Sequence, residues 1–187
     1  TLKAGAWLLN VRMWSAVTVN GGVLGGTRTI TNSVTVGGSG TLAPGNSPGI
    51  MNTGTLSLTG ATSTIAMEIS GTGVGQYDQI NVTGGVNLDG NGKIEVTMLS
   101  FVPQPSEYYF LILNDGGDAI SGTLNGIAQG GTFSSGGYTW QVSYTGNSST
   151  NSFTGGNDLV LQVVPEPSTL ALLGGLGACA VFWRRRR

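Results

Sequence analysis

Acidic side chains are the residues of this sequence that could do chemistry, and they are few. The chain has no histidine, which excludes Ser-His-Asp and Cys-His catalysis and zinc sites that use histidine. Paired carboxylates can still hydrolyse glycosidic bonds. Four acids in the regular part of the chain are candidates, and the pair one repeat apart, Glu68 and Glu95, could approach on one face; the others are Asp78 and Asp89. We expect all four to be solvated outward positions without a catalytic role.

Two further groups of residues are weaker candidates for binding. Residues 155–159, GGNDL, resemble a calcium-binding glycine-aspartate repeat, but such sites need stacked copies to complete the ligand shell. With one copy present, we expect a turn capped by an Asx side chain. Trp140, with Tyr138 and Tyr144, could stack on sugar rings if exposed. We expect these aromatic residues to be packed instead, because aromatic rings bury large areas. No metal site and no cofactor is predicted.

Composition separates a long body from a short C-terminal tail. Charged residues make up 9% of the 187 residues and glycines number 33, against a charged share of about 25% in ordinary globular domains. Residues 1–164 carry four cations and eight acids, a net charge of −4. A sparsely charged, mildly acidic body lacks the basic face that nucleic-acid binding requires. The single cysteine, Cys179, lies in the tail, so no disulfide is predicted in the body.

The tail, residues 164–187, has three parts in fixed order. It begins with a rigid motif, Val164, Pro165, Glu166 and Pro167, in which each proline fixes its own φ. A run without charge follows over residues 170–183, and its large apolar members are Leu170, Leu172, Leu173, Leu176, Val181, Phe182 and Trp183. The chain then ends in four cations, Arg184, Arg185, Arg186 and Arg187.

These three parts predict a short hydrophobic helix that spans the membrane. Fourteen helical residues cover roughly 21 Å, somewhat less than the ~30 Å hydrocarbon core of a bilayer. Arginines next to a hydrophobic segment stay in the cytoplasm, so we expect the body to lie on the opposite side of the membrane. A buried core helix is the alternative for a run of this length.

The tail resembles the PEP-CTERM sorting signal of Gram-negative bacteria. The resemblance is carried by Pro165-Glu166-Pro167, the glycine-containing apolar run and the terminal arginines. It implies recognition and cleavage by a membrane-embedded exosortase near the Pro-Glu-Pro motif. It also implies passage through the inner membrane, then delivery to the cell surface or an exopolysaccharide matrix. An exported protein needs an export signal, and we expect one upstream of Thr1.

The body has the periodicity of a stacked β-structure. Apolar runs begin at Val17, Val34, Leu56 and Ile80, 17, 22 and 24 residues apart, which is the spacing of repeats in a solenoid. Within a repeat the period is two: in residues 64–69 and 93–98, apolar side chains alternate with polar or small ones. Such alternation predicts strands with one buried face.

Parts of residues 17–125 also resemble the autotransporter-associated β-strand repeat. The phrases that carry this resemblance are TLAPGNSPG at 41–49, GTL at 54–56 and YDQINVTG at 77–84. The resemblance implies a right-handed parallel β-helix of the kind used in passenger domains at bacterial surfaces. In it, Asp78 closes a turn rather than acting on a substrate. The β-barrel that autotransporters carry is absent from the given sequence, and the Pro-Glu-Pro tail takes its place.

We therefore predict an all-β chain: a right-handed parallel β-helix or solenoid with an antiparallel β cap, followed by the C-terminal helix. A β-sandwich is the alternative fold. The predicted boundaries are 1–16 for a lead-in, 17–100 for the solenoid, 101–164 for the cap and 165–187 for the sorting signal. Within the cap we expect a strand covered on both faces at 108–113, an aromatic strand at 138–144, a last strand at 159–164 and a segment at 147–156 too polar to pack.

The predicted function is a non-enzymatic structural or adhesive protein that is exported and processed through its tail. Its expected partners are an exosortase-type membrane protease, the inner membrane during export, and exopolysaccharide or other surface proteins. The alternative is a polysaccharide-active hydrolase or lyase that uses carboxylates on the same scaffold. The lack of histidine and the dispersed acids favour the non-enzymatic function.

Overall fold

The computed structural model describes residues 12–60, 62–88 and 92–165. Within them the chain is all-β, and its one helical segment is a 3₁₀ turn at Leu124–Gly126. The described residues form these strands: β1 (Arg12–Met13), β2 (Val17–Gly26), β3 (Thr29–Ile30), β4 (Val34–Pro44), β5 (Ile50–Thr53), β6 (Leu56–Leu58), β7 (Thr64–Ile69), β8 (Gln79–Val82), β9 (Val86–Asn87), β10 (Lys93–Met98), β11 (Tyr108–Asn114), β12 (Thr132–Ser135), β13 (Tyr138–Gly146) and β14 (Asp158–Val163).

The first sheet is parallel and curled. Its strands follow the order β10-β7-β4-β6-β9, and β2 pairs in addition with β4. The eleven-residue strand β4 pairs with β6 through residues 34–36 and with β7 through residues 41–42. The first part of β4 therefore pairs with one strand and its last part with another, and the sheet bends along the length of β4.

The second sheet is mixed. Strands β1, β3, β5, β8 and β11 pair in parallel in that order. Strand β11 then pairs antiparallel with β14, and the sheet ends in the antiparallel strands β13 and β12. The parallel part continues the stacking of the first sheet, while the antiparallel part contains only strands from residue 108 onward.

Rows of apolar side chains, one from each successive strand, form the core. Val17, Val34, Leu56 and Val86 are register partners along β2, β4, β6 and β9, and all four are buried. A second row joins Leu24, Leu42, Ile65 and Ile94. Burying an aliphatic side chain of this size stabilises the folded state by about 1.5–3 kcal/mol. The alternation predicted for β7 and β10 places these side chains inside.

One predicted member of the repeat is wrong. Ile80 does not continue the row of Val17, Val34 and Leu56; it pairs with Met51 in the second sheet, and Val86 takes the fourth place in the row. The reason is that the repeats supply strands to both sheets: β8 is the strand of its repeat that lies in the second sheet, as β5 is in the repeat before it. The spacing of apolar runs alone does not reveal which sheet a strand joins.

The segment 147–156 is also better ordered than its composition predicts. Asn147 and Ser152 exchange two backbone hydrogen bonds of 2.9 Å. Phe153 stacks on Tyr108 of β11, with ring centroids 5.8 Å apart and ring planes at 26°. A single aromatic residue and local hydrogen bonds therefore hold a segment that otherwise contains no apolar side chain.

The parallel ladders fit the predicted β-helix and differ from the antiparallel pairing of a β-sandwich. The right-handed β-helix itself and the domain boundaries remain predictions. No helix in the described part of the chain has the length and hydropathy needed to cross a membrane. The predicted helix over residues 170–183 lies outside the described residues.

We expect two adjacent lysine substitutions in β7 to have opposite consequences. Met67→Lys places an unpaired charge in the core, where Met67 is 1% exposed, and should lower the free energy of unfolding by at least about 3 kcal/mol. Ala66 faces outward, and its register partner is Glu95. Ala66→Lys should therefore change stability by no more than about 0.5 kcal/mol. Denaturant unfolding of both variants measures this, and equal losses would contradict the assigned faces of β7.

Candidate functional site

A buried carboxylate, Asp78, joins two corners of the stacked structure. Asp78 directly precedes β8 and is 1% exposed. Its Oδ1 accepts a hydrogen bond of 2.7 Å from the backbone N–H of Gly49, and its Oδ2 accepts one of 2.9 Å from that of Glu68. The backbone N–H of Asp78 in turn donates to the carbonyl of Glu68. The side chain therefore ties the corner before β5 to strand β7, as predicted for a residue that closes a turn. The prediction that Asp78 is a solvated, outward-facing residue is wrong, because this role in the corner buries it.

The corner at residues 45–49 has its shape because two glycines meet in it. Gly45 has a φ of +87°, a conformation that L side chains rarely adopt. A Cβ atom on Gly45 would collide with the backbone nitrogen of Gly49. The close approach brings the Gly49 N–H within reach of Asp78.

Burial makes Asp78 a weaker acid than an ordinary carboxyl group. A cavity of about 320 Å³ lies beside it and is lined by Glu68, Thr97 and residues 43–47, among others. The pKa of Asp78 is raised to about 7. Loss of solvent is the largest cause and the nearby charge of Glu68 adds to it, while the backbone hydrogen bonds from Glu68 and Gly49 act in the opposite direction. A carboxyl group that titrates near neutral pH can donate or accept a proton. Both oxygens of Asp78, however, already accept hydrogen bonds from backbone N–H groups.

The structure brings Glu68 close to Asp78 rather than to Glu95. Glu68 and Glu95 do lie on one outer face, as predicted, but Glu95 pairs with Ala66 and Glu68 pairs with Thr97. The two glutamates are thus two residues out of step on neighbouring strands, roughly 8 Å apart at their Cα atoms. Sequence spacing could not reveal the approach of Glu68 to Asp78, because the chain reverses between them. Asp89 lies outside the described residues.

The turn that resembled a calcium site is held together by its own hydrogen bonds. Asp158 is buried, and its carboxylate accepts bonds from the backbone N–H groups of Asn114, at 3.0 Å, and Ser148, at 2.8 Å. The side-chain amide of Asn157 donates to the carbonyl of Asp118 at 3.0 Å. Within the described ranges, no three histidine, cysteine or acidic side chains lie together as metal ligands would. The geometry is that of a turn capped by Asx side chains.

Two of the three aromatic residues of β13, Trp140 and Tyr144, are buried as predicted, while Tyr138 is partly exposed and packs against the core. Trp140 is fully buried, donates from Nε1 to the carbonyl of Ser135 at 3.0 Å, and meets Tyr109 edge-on with ring centroids 5.6 Å apart. The hydroxyl of Tyr144 donates to the carbonyl of Ile127 at 2.8 Å. Neither Trp140 nor Tyr144 can stack on a sugar ring in this arrangement.

The C-terminal tail leaves the body from an interior strand. Strand β14 lies between β11 and β13, and Val163 pairs with Trp140. The backbone N–H of Val164 still donates to the carbonyl of Thr139, at 2.9 Å. Pro165 is the last described residue. The other predicted tail residues lie outside the described residues: Glu166, Pro167, Leu170, Leu172, Leu173, Leu176, Val181, Phe182, Trp183, Arg184, Arg185, Arg186 and Arg187.

Comparison with known protein families finds a match for the tail. Residues 163–187 match the PEP-CTERM protein-sorting motif. Neither a curated protein nor a solved structure matches the chain, so the resemblance of the body to the autotransporter-associated repeat finds no support. The motif indicates a protein that is exported toward the membrane and cell surface and processed by an exosortase, which is a membrane protein.

Asp78 should make stability depend on pH. Its pKa is raised from the ordinary value near 4 to about 7, so the folded state favours the protonated form. This contribution is complete below about pH 4 and is lost as the pH rises through 7. Asp78→Asn should lower the free energy of unfolding by about 1–3 kcal/mol at pH 5, because the amide N–H₂ faces a backbone donor. The deficit should shrink toward pH 8.

Denaturant unfolding of both proteins between pH 4 and 8 measures this difference. Asp115→Asn is the matched control, since Asp115 is exposed and the same substitution there removes no buried carboxylate. A pH-independent deficit for Asp78→Asn would show that Asp78 is already ionised at pH 4 to 5 in the folded protein.

Proposed function

We propose that this chain is an exported, exosortase-processed protein of the cell surface or an exopolysaccharide matrix, with a structural or adhesive role and no catalytic activity. The observation that carries the proposal is the match of residues 163–187 to the PEP-CTERM sorting motif. The motif begins at Val163, the last residue of β14, a strand that pairs on both sides. The sorting signal is therefore attached directly to a folded body, which is what the tail would deliver.

We further propose that the body is a right-handed parallel β-helix with an antiparallel β cap. Two features support it: the rows that run from Val17 to Val86 and from Leu24 to Ile94, and the parallel ladder that continues from β1 to β11. Connections between parallel strands are right-handed in about 98% of cases. Such a body is rigid and offers long faces, which suits a protein that supports or adheres.

In the proposed pathway each part of the tail has its own task. Residues 170–183 cross the inner membrane, and Arg184 to Arg187 keep the end of the chain in the cytoplasm. Pro165, Glu166 and Pro167 then lie at the outer boundary of the membrane, where an exosortase can reach them. Because the backbone N–H of Val164 still donates a hydrogen bond to Thr139, only a short stretch of chain separates the body from this motif. The folded body must therefore lie close to the enzyme during cleavage.

A polysaccharide-active enzyme is the second candidate, and one observation favours it. Asp78 has a pKa of about 7 and shares a cavity with Glu68, an arrangement that could protonate a leaving group. The two backbone hydrogen bonds to Asp78 favour a structural role instead. We expect no hydrolysis or cleavage of bacterial or algal polysaccharides. Turnover that is lost in Glu68→Gln while the protein remains folded would establish the enzyme.

Two changes in the tail should separate sorting from membrane insertion. Glu166→Ala should leave insertion intact and block cleavage, so that full-length protein accumulates in the inner membrane. Replacement of Arg184 to Arg187 by serine should weaken retention and orientation, because the cytoplasmic charges are gone. Intact-mass analysis of membrane and surface fractions, in a host that carries an exosortase, measures both effects.

Asp115→Asn serves as the control, because this exposed residue lies far along the chain from the tail. It should be processed as the unchanged protein is. If the surface form of the unchanged protein still contains residues 170–187, the tail is a permanent anchor and the proposed processing is wrong.

A further inference from the structure

An open groove lies beside strand β11, between the segment before β8 and the turn at residues 147–156. Its volume is about 360 Å³, within the range of small-molecule sites. Its lining residues include the aromatic side chains Tyr108 and Phe110 and the small polar side chains Thr72, Ser148, Ser149 and Asn151. The groove thus combines ring surfaces with hydroxyl and amide groups.

The ring of Tyr108 is held in place by its neighbours. It stacks on Phe153 at 5.8 Å and 26°, and it meets Phe110 edge-on at 6.4 Å and 69°. Phe110 is buried, while Tyr108 is partly exposed. The hydroxyl of Tyr108 makes no hydrogen bond to any described residue. A rigid, partly exposed ring with a free polar tip can contact a ligand without losing side-chain freedom.

Two amide side chains offer polar groups to the same groove. Gln79 is 5% exposed, and its Nε2 donates to the carbonyl of Phe110 at 3.0 Å and to the hydroxyl of Tyr77 at 3.4 Å. These bonds fix the amide plane and leave Oε1 without a donor among the described residues. Asn151 is exposed, has a φ of +49° and makes no side-chain hydrogen bond within that part of the chain.

The groove carries no formal charge. None of its lining residues is aspartate, glutamate, lysine or arginine. A charged ligand would lose hydration there without gaining an ionic partner, which is costly. A ligand with both C–H faces and hydroxyl groups, but no charge, fits the lining best.

We propose that this groove binds a neutral glycan. The C–H face of a pyranose ring packs against Tyr108, and the sugar hydroxyls pair with Oε1 of Gln79, the amide of Asn151 and Oγ of Ser149. Oγ of Ser149 donates to Oδ1 of Asn147 at 2.6 Å and can still accept a hydrogen bond. This deepens the proposed function, since an adhesive protein of a polysaccharide matrix needs such a surface. It rests on that function for its biological setting, while binding itself can be measured without any sorting step.

The test is a titration of the full chain, kept in a zwitterionic detergent that has no sugar headgroup. The probes are hexasaccharides of β-1,4-linked glucose, α-1,4-linked glucose and β-1,4-linked mannose, with hexagalacturonate as the anionic comparison. We expect calorimetry to detect at least one neutral hexasaccharide and no hexagalacturonate. Tyr108→Leu should weaken that binding about tenfold, the effect of losing one aromatic contact.

Asn151→Gly removes a single amide at a site where glycine tolerates the positive φ, so it leaves the fold intact and should weaken binding severalfold. Tyr138→Leu is the matched control, because Tyr138 is a partly exposed tyrosine on β13 outside the groove, and it should bind as the unchanged protein does. The proposal is overturned if no neutral hexasaccharide binds. It is also overturned if binding survives both Tyr108→Leu and Asn151→Gly, or if hexagalacturonate binds equally well.

A negative result would leave export and processing untouched, because the masses of the membrane and surface forms report on those independently. Conversely, if a neutral hexasaccharide binds but the tail is not cleaved, the groove proposal stands and the proposed processing is wrong. The proposal of glycan binding and the proposal of tail processing can therefore be rejected independently of each other.

Discussion

The structure depends on one constraint: the parallel strands of the body satisfy their backbone hydrogen bonds through strands one repeat away along the chain. Buried N–H and C=O groups that find no partner are costly, so the chain must return to the same row after every repeat. The rows of Val17, Val34, Leu56 and Val86, and of Leu24, Leu42, Ile65 and Ile94, are the result. Corners are then the points at which the fold can fail. Asp78 and the Gly45–Gly49 approach secure one of them across two repeats.

The same constraint explains how the stacking ends and where the tail leaves. Strand β11 is the last parallel member of its sheet, and β14 returns antiparallel beside it. A chain of edge-on aromatic contacts, from Tyr77 to Tyr109 to Trp140, joins the last repeats to the antiparallel strands. Because β14 lies between two strands, the sorting motif is attached at a firmly held position. A pull on the tail during export would act on an interior strand rather than on a free edge.

Local patterns in the sequence were sufficient to predict many of the strands and the tail. Contacts between residues far apart in the chain could not be predicted from them. The alternation around Met67 and Val96, the covered strand at 108–113 and the tail motif all follow from neighbouring residues. The place of Ile80 does not, because the repeats supply strands to both sheets and the apolar pattern does not distinguish between the two. One of the hydrogen bonds that hold Asp78 comes from a corner 29 residues earlier in the chain, and the order of segment 147–156 depends on Phe153 meeting Tyr108.

The parallel ladder can be measured directly through scalar couplings across hydrogen bonds in nuclear magnetic resonance. The structure predicts couplings from the amide of Val17 to the carbonyl of Ser33, from that of Val34 to Thr55, and from that of Leu56 to Gly85, since these bonds are 2.8, 2.7 and 3.1 Å long. Together they define three successive parallel returns of the chain. Couplings that instead pair residues 17–26 with residues 34–44 in antiparallel order would contradict the stacked body.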